Sequence, residues 1–291
     1  MPRMDHTTLG ATGESISRIG FGGMPLSIQG RPPEEQARRT INAAIDAGID
    51  FLDTADVYCI DDSDIGHNER LIASTVRERA DRDRIRIATK AGMRRPNGSW
   101  TYDGSPKHIR EACEASLRAL GVEQIFLYQF HVPDPAVPFE ESVEAFAQLQ
   151  RDGKIRYVGL SNVSLEQLDV ARGIVAIESV QNRLNPYFRE SIDVARGCAE
   201  RNVTFLAYSP VGGGRLAKKL PRFEVLQRIA KARNASVHAV TLAWVRQQSP
   251  SVVPIPGASK PEHAIDSAKS VNVALSVNEM AEIDGTEFSR D

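Results

Sequence analysis

The feature that most constrains the fold is an alternation. Short apolar runs, each followed by a stretch of helical periodicity, recur along the whole chain. Ile49-Asp50-Phe51-Leu52-Asp53 reads as a buried strand, and residues 34–47 ahead of it carry Ala37, Ile41, Ala44 and Ile45 at helical spacing. The helical pattern 68–79 leads into strand 85–89. Ser105-Pro106 opens the next helix with a capping hydroxyl and a proline in its first turn, and Gly121 suits its end. Strands 125–130, 157–160, 177–181, 203–208 and 252–256 follow, with helices 139–151, 166–173, 190–200, 223–233 and 237–247 between them and a helical remainder. With a first strand at 17–21 the strands number eight. Strands that alternate with helices form parallel βαβ units with right-handed crossovers. Eight of them predict a closed (β/α)₈ TIM barrel of α/β class, with an open doubly wound sheet as the other topology.

Such a barrel takes ~250 residues, and the chain has 291. No Pro/Gly/Ser linker, low-complexity tract or charge block divides it, so residues 1–291 are expected to be one domain. Lys and Arg number 36 against 38 Asp and Glu, well mixed, for a net charge of -2. Nothing there neutralises a phosphate backbone, so no nucleic-acid partner is expected. No apolar run reaches the ~18 residues of a membrane span, and the first residues lack the apolar core of a signal peptide. The three cysteines, Cys59, Cys113 and Cys198, show no CxxC spacing. Neither a disulfide framework nor a metal site is expected, and a reducing cytoplasm fits.

In a barrel of this kind the chemistry sits at the C-terminal ends of the strands. Strand two ends in Asp53-Thr54-Ala55-Asp56-Val57-Tyr58, strand three in Thr89-Lys90, and strand four in Gln129-Phe130-His131. Singly, each residue has an ordinary explanation: a capping aspartate, a core tyrosine, a solvated lysine, a structural histidine. Together they bring Asp53, Tyr58, Lys90 and His131 to one mouth. A tyrosine hydroxyl with a pKa near ~10 is a poor acid at neutral pH. A nearby ammonium lowers that pKa, an aspartate fixes the ammonium, and a histidine orients a carbonyl or shares its proton. The set is suited to protonating a carbonyl oxygen. None of these groups supplies a hydride, so a cofactor must.

Three further stretches stand in order along the chain. Phe51-Leu52-Asp53-Thr54-Ala55-Asp56-Val57-Tyr58 is followed by Gly66-His67-Asn68-Glu69. Gly153-Lys154-Ile155-Arg156-Tyr157-Val158-Gly159-Leu160-Ser161-Asn162 comes next, then Ile255-Pro256-Gly257-Ala258-Ser259-Lys260. These resemble the signatures of the aldo-keto reductases, short bacterial-type members in particular. The resemblance implies a single barrel that binds NADPH, with NADH as the alternative, and a tetrad of Asp53, Tyr58, Lys90 and His131. It implies carboxamide contacts from Ser161, Asn162 and Gln181, and Tyr208 stacked on the nicotinamide. Gly22, Gly23 and Met24 would border the cofactor, and Ser209, Pro210, Val211 and Gly212 would run along its pyrophosphate. Gly257, Ala258, Ser259, Lys260 and His263 would hold its far end.

The family's terminal Glu-Asn pair is altered here to Asp266-Ser267, and the 2′-phosphate arginine of many members is replaced by Ser259, Lys260 and His263. The acidic loop 59–65 reads as a solvated turn. Gly212-Gly213-Gly214-Arg215-Leu216-Ala217 fits G-x-G-x-x-A, but Pro221 follows too soon for a dinucleotide fingerprint, and a flexible loop over the cofactor is expected. Residues 92–104 are too polar and glycine-rich for a strand. Trp100, Tyr102 and Val132, with Tyr58 and His131, are the expected substrate contacts, and the short stretch after the last helix suggests an open pocket. The expected function is NAD(P)H-dependent reduction of small aldehydes or ketones, pyridoxal-like ones among them. The alternative is a cofactor-bound sensor or regulatory subunit with little turnover.

Overall fold

Strand one of the barrel is short because two glycines and a bend precede and follow it. The structure, a computed structural model, describes residues 4–290. Strands β1 (His6–Thr8) and β2 (Ser15–Ser17) form an antiparallel hairpin. The barrel proper then runs β3 (Phe21–Gly22), α1 (Glu34–Asp46), β4 (Phe51–Asp53), α2 (His67–Arg77) and β5 (Arg86–Ala91). A two-stranded ribbon, β6 (Met93–Arg94) and β7 (Thr101–Tyr102), precedes α3 (Pro106–Leu120). Then come β8 (Ile125–Phe130), α4 (Phe139–Arg151), β9 (Ile155–Ser161), α5 (Leu165–Arg172), β10 (Ile177–Arg183) and α6 (Ile192–Glu200). The last part comprises β11 (Thr204–Tyr208), α7 (Gly213–Ala217), α8 (Glu224–Ala232), α9 (Val237–Arg246), β12 (Val252–Ile255), α10 (Pro261–Lys269) and α11 (Val277–Asp284).

Eight strands form one parallel sheet in the order β3-β4-β5-β8-β9-β10-β11-β12. Its ends meet: the Gly20 N–H donates to the Pro254 carbonyl at 2.9 Å and the Gly22 N–H to that of Pro256 at 3.0 Å. A Cβ on Gly22 would lie 2.9 Å from the Ile255 carbonyl oxygen, so only glycine lets the two strands approach. The result is a (β/α)₈ barrel, as the alternation predicts. Helix signals also hold. The Ser105 hydroxyl accepts from the His108 N–H at 3.2 Å, and Gly121 ends α3 at φ 67°.

Three expectations need correction. The first barrel strand is Phe21–Gly22, not 17–21. Ser17 belongs to the hairpin, held by Asp50 Oδ1 on its N–H at 2.7 Å. The hairpin closes the lower end of the barrel: the Gly10 N–H donates to Thr204 Oγ1 and that of Ala11 to Glu178 Oε2, both at 2.8 Å. Leu9 and Ile16 are fully buried against Phe51, Ala88, Leu127, Leu206 and Val253. Second, residues 92–104 contain strand after all, since ribbon pairing needs only backbone: Met93 faces Tyr102 and Arg94 faces Thr101. Third, the glycines after β11 open the short helix α7 instead of a loop, with Gly212 left-handed at φ 87°. The loop 59–65 is a solvated turn only at its middle, where Asp62 and Ser63 are exposed; Cys59 is buried and the remainder half-buried.

Candidate active site

β4 and β5 lie side by side and present Asp53 and Lys90 at their upper ends. Lys90 is fully buried. Its ammonium donates to Asp53 Oδ2 at 2.6 Å, to the Thr54 carbonyl at 2.8 Å and to the Tyr58 hydroxyl at 3.0 Å. Three N–H groups meet three acceptors, which is what a buried ammonium requires. Burial pushes Lys90 down, but Asp53 and Tyr58 together outweigh it and hold its pKa above the ordinary lysine value.

Tyr58 answers to two opposed effects. Burial pushes its hydroxyl up, Lys90 pulls it back, and the net is a pKa above 10.0. Lys90 therefore acts in the direction foreseen, but desolvation is stronger, so Tyr58 stays a phenol through neutral pH. His131 stands at right angles to it, ring centroids 5.8 Å apart and planes at 80°. Burial, then the Lys90 charge, holds His131 well below 6.5, so it is neutral. Its Nδ1 is buried without a hydrogen-bond partner.

The second Asp53 oxygen accepts from Gln181 Nε2 at 2.8 Å and Gln129 Nε2 at 3.1 Å. Gln181, expected to meet a carboxamide, lies in the same cluster with its amide engaged by Asp53 and Gln129. Ser161, Asn162 and Tyr208 come together at the mouth. Asn162 Nδ2 donates to Ser161 Oγ at 3.1 Å and to the His131 carbonyl at 3.0 Å, and the Tyr208 hydroxyl donates to Asn162 Oδ1 at 2.9 Å. Asn162 at φ 58° and Ser209 at φ 47° are both left-handed, a backbone cost that tends to gather at functional sites.

Where the barrel closes, Gly22 bridges to Gly257, and the Gly23 N–H donates to the Asp53 carbonyl at 2.8 Å. Gly22, Gly23 and Met24 thus adjoin Gly257 and Ala258. The Ser259 carbonyl accepts from Gln36 Nε2 at 2.7 Å. Lys260 precedes Pro261 at the start of α10, and His263 lies in its first turn, both side chains exposed. Asp266 is engaged by Ser236 Oγ at 2.6 Å. Ser209 to Gly212 form a turn closed by the Gly212 N–H on the Ser209 carbonyl at 2.8 Å.

Of the expected substrate contacts, Trp100 reaches the tetrad: its ring lies 6.4 Å from that of Tyr58 at 75°. Val132 follows His131 and is half-buried, while Tyr102 is exposed on the ribbon. A cavity of about 570 Å³ lies behind the 54–58 segment, between that segment, α2, α3 and the ribbon. Its walls include Asp56, Glu69 and Arg118 but none of the tetrad. Sequence reasoning placed Gln129 at the end of strand four without a role and missed Arg95. Gln129 stood out as the polar residue in an apolar strand. Arg95, fully buried with its guanidinium 3.9 Å from the Trp100 ring centroid, carried no such signal.

Among the described residues no cluster suits a metal ion, and no helix is long and apolar enough to cross a membrane. Comparison with known proteins points one way. The model of the aldo/keto reductase family matches residues 18–287. An uncharacterized oxidoreductase of Schizosaccharomyces pombe is 33% identical, the match covering 95% of this chain and 88% of that protein. The glycerol dehydrogenase AKR11B4 from Gluconobacter oxydans superposes with a TM-score of 0.83 at 29% identity, covering 96% of this chain and 94% of its own. An aldo-keto reductase from Klebsiella pneumoniae, solved with NADPH, gives 0.80 at 26% identity over 98% and 95%. A closed barrel with Asp, Tyr, Lys and His joined at its mouth, matched by family and by structure over nearly its whole length, makes this chain a member of the aldo/keto reductase family.

Proposed function

We propose that this protein reduces small aldehydes and ketones to alcohols with NADPH, and that Tyr58 protonates the carbonyl oxygen. The observation that carries the reading is the Lys90 ammonium, 3.0 Å from the Tyr58 hydroxyl and 2.6 Å from Asp53. When bound, the cofactor supplies the hydride. The donor set fits such a group. The flat Tyr208 ring and the amide and hydroxyl groups of Asn162 and Ser161 share one mouth, as a carboxamide-bearing ring requires. The exposed Lys260 and His263 flank the α10 N-terminus, whose dipole favours a phosphate. NADH lacks that phosphate, so NADPH is the preferred cofactor.

As negative charge builds on the carbonyl oxygen, the Tyr58 proton moves onto it. Lys90 stabilises the phenolate left behind, and Asp53, held by Gln129 and Gln181, keeps Lys90 in place. Neutral His131 orients the carbonyl from the other side through a ring nitrogen. Trp100 and Val132 wall the pocket.

The test is Tyr58→Phe, which removes the donor and keeps the ring. Positioned acid catalysis contributes typically ~10²–10⁴-fold, so kcat with 4-nitrobenzaldehyde should fall by about that factor while the NADPH Kd holds. Near-wild-type turnover with hydride transfer rate-limiting would overturn the role of Tyr58. A wild type that binds NADPH tightly and reduces no carbonyl would overturn the function.

A further inference from the structure

Three loops that follow consecutive barrel strands meet at one side chain. Arg95, in the turn between β6 and β7, is 1% exposed. Its Nη2 lies 3.1 Å from Gln29 Oε1, 3.2 Å from the Cys59 carbonyl and 3.1 Å from the Ile60 carbonyl. Gln29 belongs to the loop after β3, Cys59 and Ile60 to the loop after β4, and Arg95 itself to the segment after β5. Gln29 Nε2 reinforces the junction by donating to the Ile60 carbonyl at 2.8 Å. The ribbon turn presses close: a Cβ on Gly98 would lie 3.2 Å from the Ile60 oxygen.

The other two guanidinium nitrogens, Nε and Nη1, are buried and have no hydrogen-bond partner. A buried cation in that state is costly unless something else stabilises it. What the structure offers is the face of Trp100, 3.9 Å from the guanidinium carbon. The dependence is mutual. Trp100 is 44% exposed and has little packing of its own to fix it, yet its ring stands at 75° to that of Tyr58, 6.4 Å away.

We propose that Arg95 is a positioning residue of the substrate pocket. It pins the three loops together and holds the Trp100 ring beside the Tyr58 ring, which makes the pocket favour flat, conjugated carbonyls over saturated ones of the same size. An indole plane held in place rewards a flat partner by stacking; the same indole left free loses that contact to its own motion. This rests on the carbonyl-reduction reading above and adds a residue and a substrate class to it.

The experiment compares kcat/KM for benzaldehyde and cyclohexanecarbaldehyde in the wild type, Arg95→Met, Arg95→Lys, Trp100→Ala and the Arg95→Met/Trp100→Ala pair. The wild type should prefer the aromatic aldehyde. Arg95→Met should lower that preference about 3- to 30-fold, the span from an exposed to a desolvated cation–π contact, mostly through KM. Arg95→Lys, a point charge without the planar fork, should recover part of it. In the Trp100→Ala background, removing Arg95 should change the ratio no further. The NADPH Kd should stay the same throughout. Iodide quenching of tryptophan emission gives a readout independent of turnover. Trp244 is fully buried, so the quenchable emission is that of Trp100, and it should grow in Arg95→Met. If Arg95→Met does not fold, Arg95→Lys is read in the same two ways. An unchanged ratio with unchanged quenching overturns the proposal, as does an effect of Arg95→Met that persists without Trp100. A wild type that reduces neither aldehyde is a separate result, and it overturns the carbonyl-reduction reading itself.

Discussion

Tyr58 keeps its proton because burial raises the hydroxyl further than Lys90 lowers it. That balance sets a pH range. Reduction needs the phenol, and burial holds its pKa above the ordinary tyrosine value, so the rate should hold through neutral pH and fall only in more alkaline solution. His131 sits well below 6.5, so it should not titrate in the same window. A kcat profile for aldehyde reduction between about pH 6 and pH 9 should therefore be flat on both counts, given ordinary values near 6.5 and 10 for free His and Tyr. A break near pH 6.5 would show that His131 takes up a proton and works as a cation. The gathering of Asp53, Tyr58, Lys90 and His131 at one mouth was legible in sequence because ionisable side chains closing apolar strands stand out by type. Arg95 was not, since its oxygen partners at Cys59 and Ile60 are backbone carbonyls, which no side-chain pattern announces. The outcome at Tyr58 was also out of reach: the partner was visible, the depth of burial was not.

At the level of elements, hydrophobic spacing located most helices and strands to within a residue or two, since each buries one face. α4 runs from Phe139 to Arg151, the limits its pattern predicts. The failures have a common cause: the strands β2, β3, β6 and β7 are two or three residues long, too short to carry a periodicity. The meeting of β3 with β12 is nevertheless where the proposed cofactor loops are brought together, because Gly22 and Gly257 bridge there. Gly22→Ala should force the strands apart, since the Ile255 carbonyl oxygen 2.9 Å from the new methyl is backbone and cannot swing away. Overpacking of this kind costs about 1–3 kcal/mol. The urea midpoint should drop accordingly and cofactor affinity should weaken with it. An unchanged midpoint would mean that the strands separate without cost.

Across the whole molecule, the proposed cofactor contacts come from loops that follow several different strands, so a bound dinucleotide should brace the barrel against unfolding. Saturation at 100 times Kd stabilises a folded protein by ~2.7 kcal/mol, which for a chain of this size is a rise in Tm of roughly 4–5 °C. NADPH should give the larger rise at equal concentration, and Lys260→Ala should narrow the gap to NADH by removing a charge-assisted contact of about 1.5–3 kcal/mol. Equal shifts for the two cofactors in the wild type, measured by scanning calorimetry, would remove Lys260 from the phosphate site. The ring itself has a consequence for the protein's synthesis. The chain's first strands rest on its last: the lower hairpin binds Glu178 and Thr204, and β3 closes on Pro254 and Pro256. On a ribosome adding about 5–20 residues per second, those early strands wait on the order of ten to fifty seconds for partners not yet made. Leu9 and Ile16 gain Phe51, Ala88 and Leu127 early but wait for Leu206 and Val253, and the outer edge of β3 stays unpaired throughout. The nascent chain is therefore a sheet with an unpaired edge until its last strand emerges, and the ring can close only once residue 256 has been made.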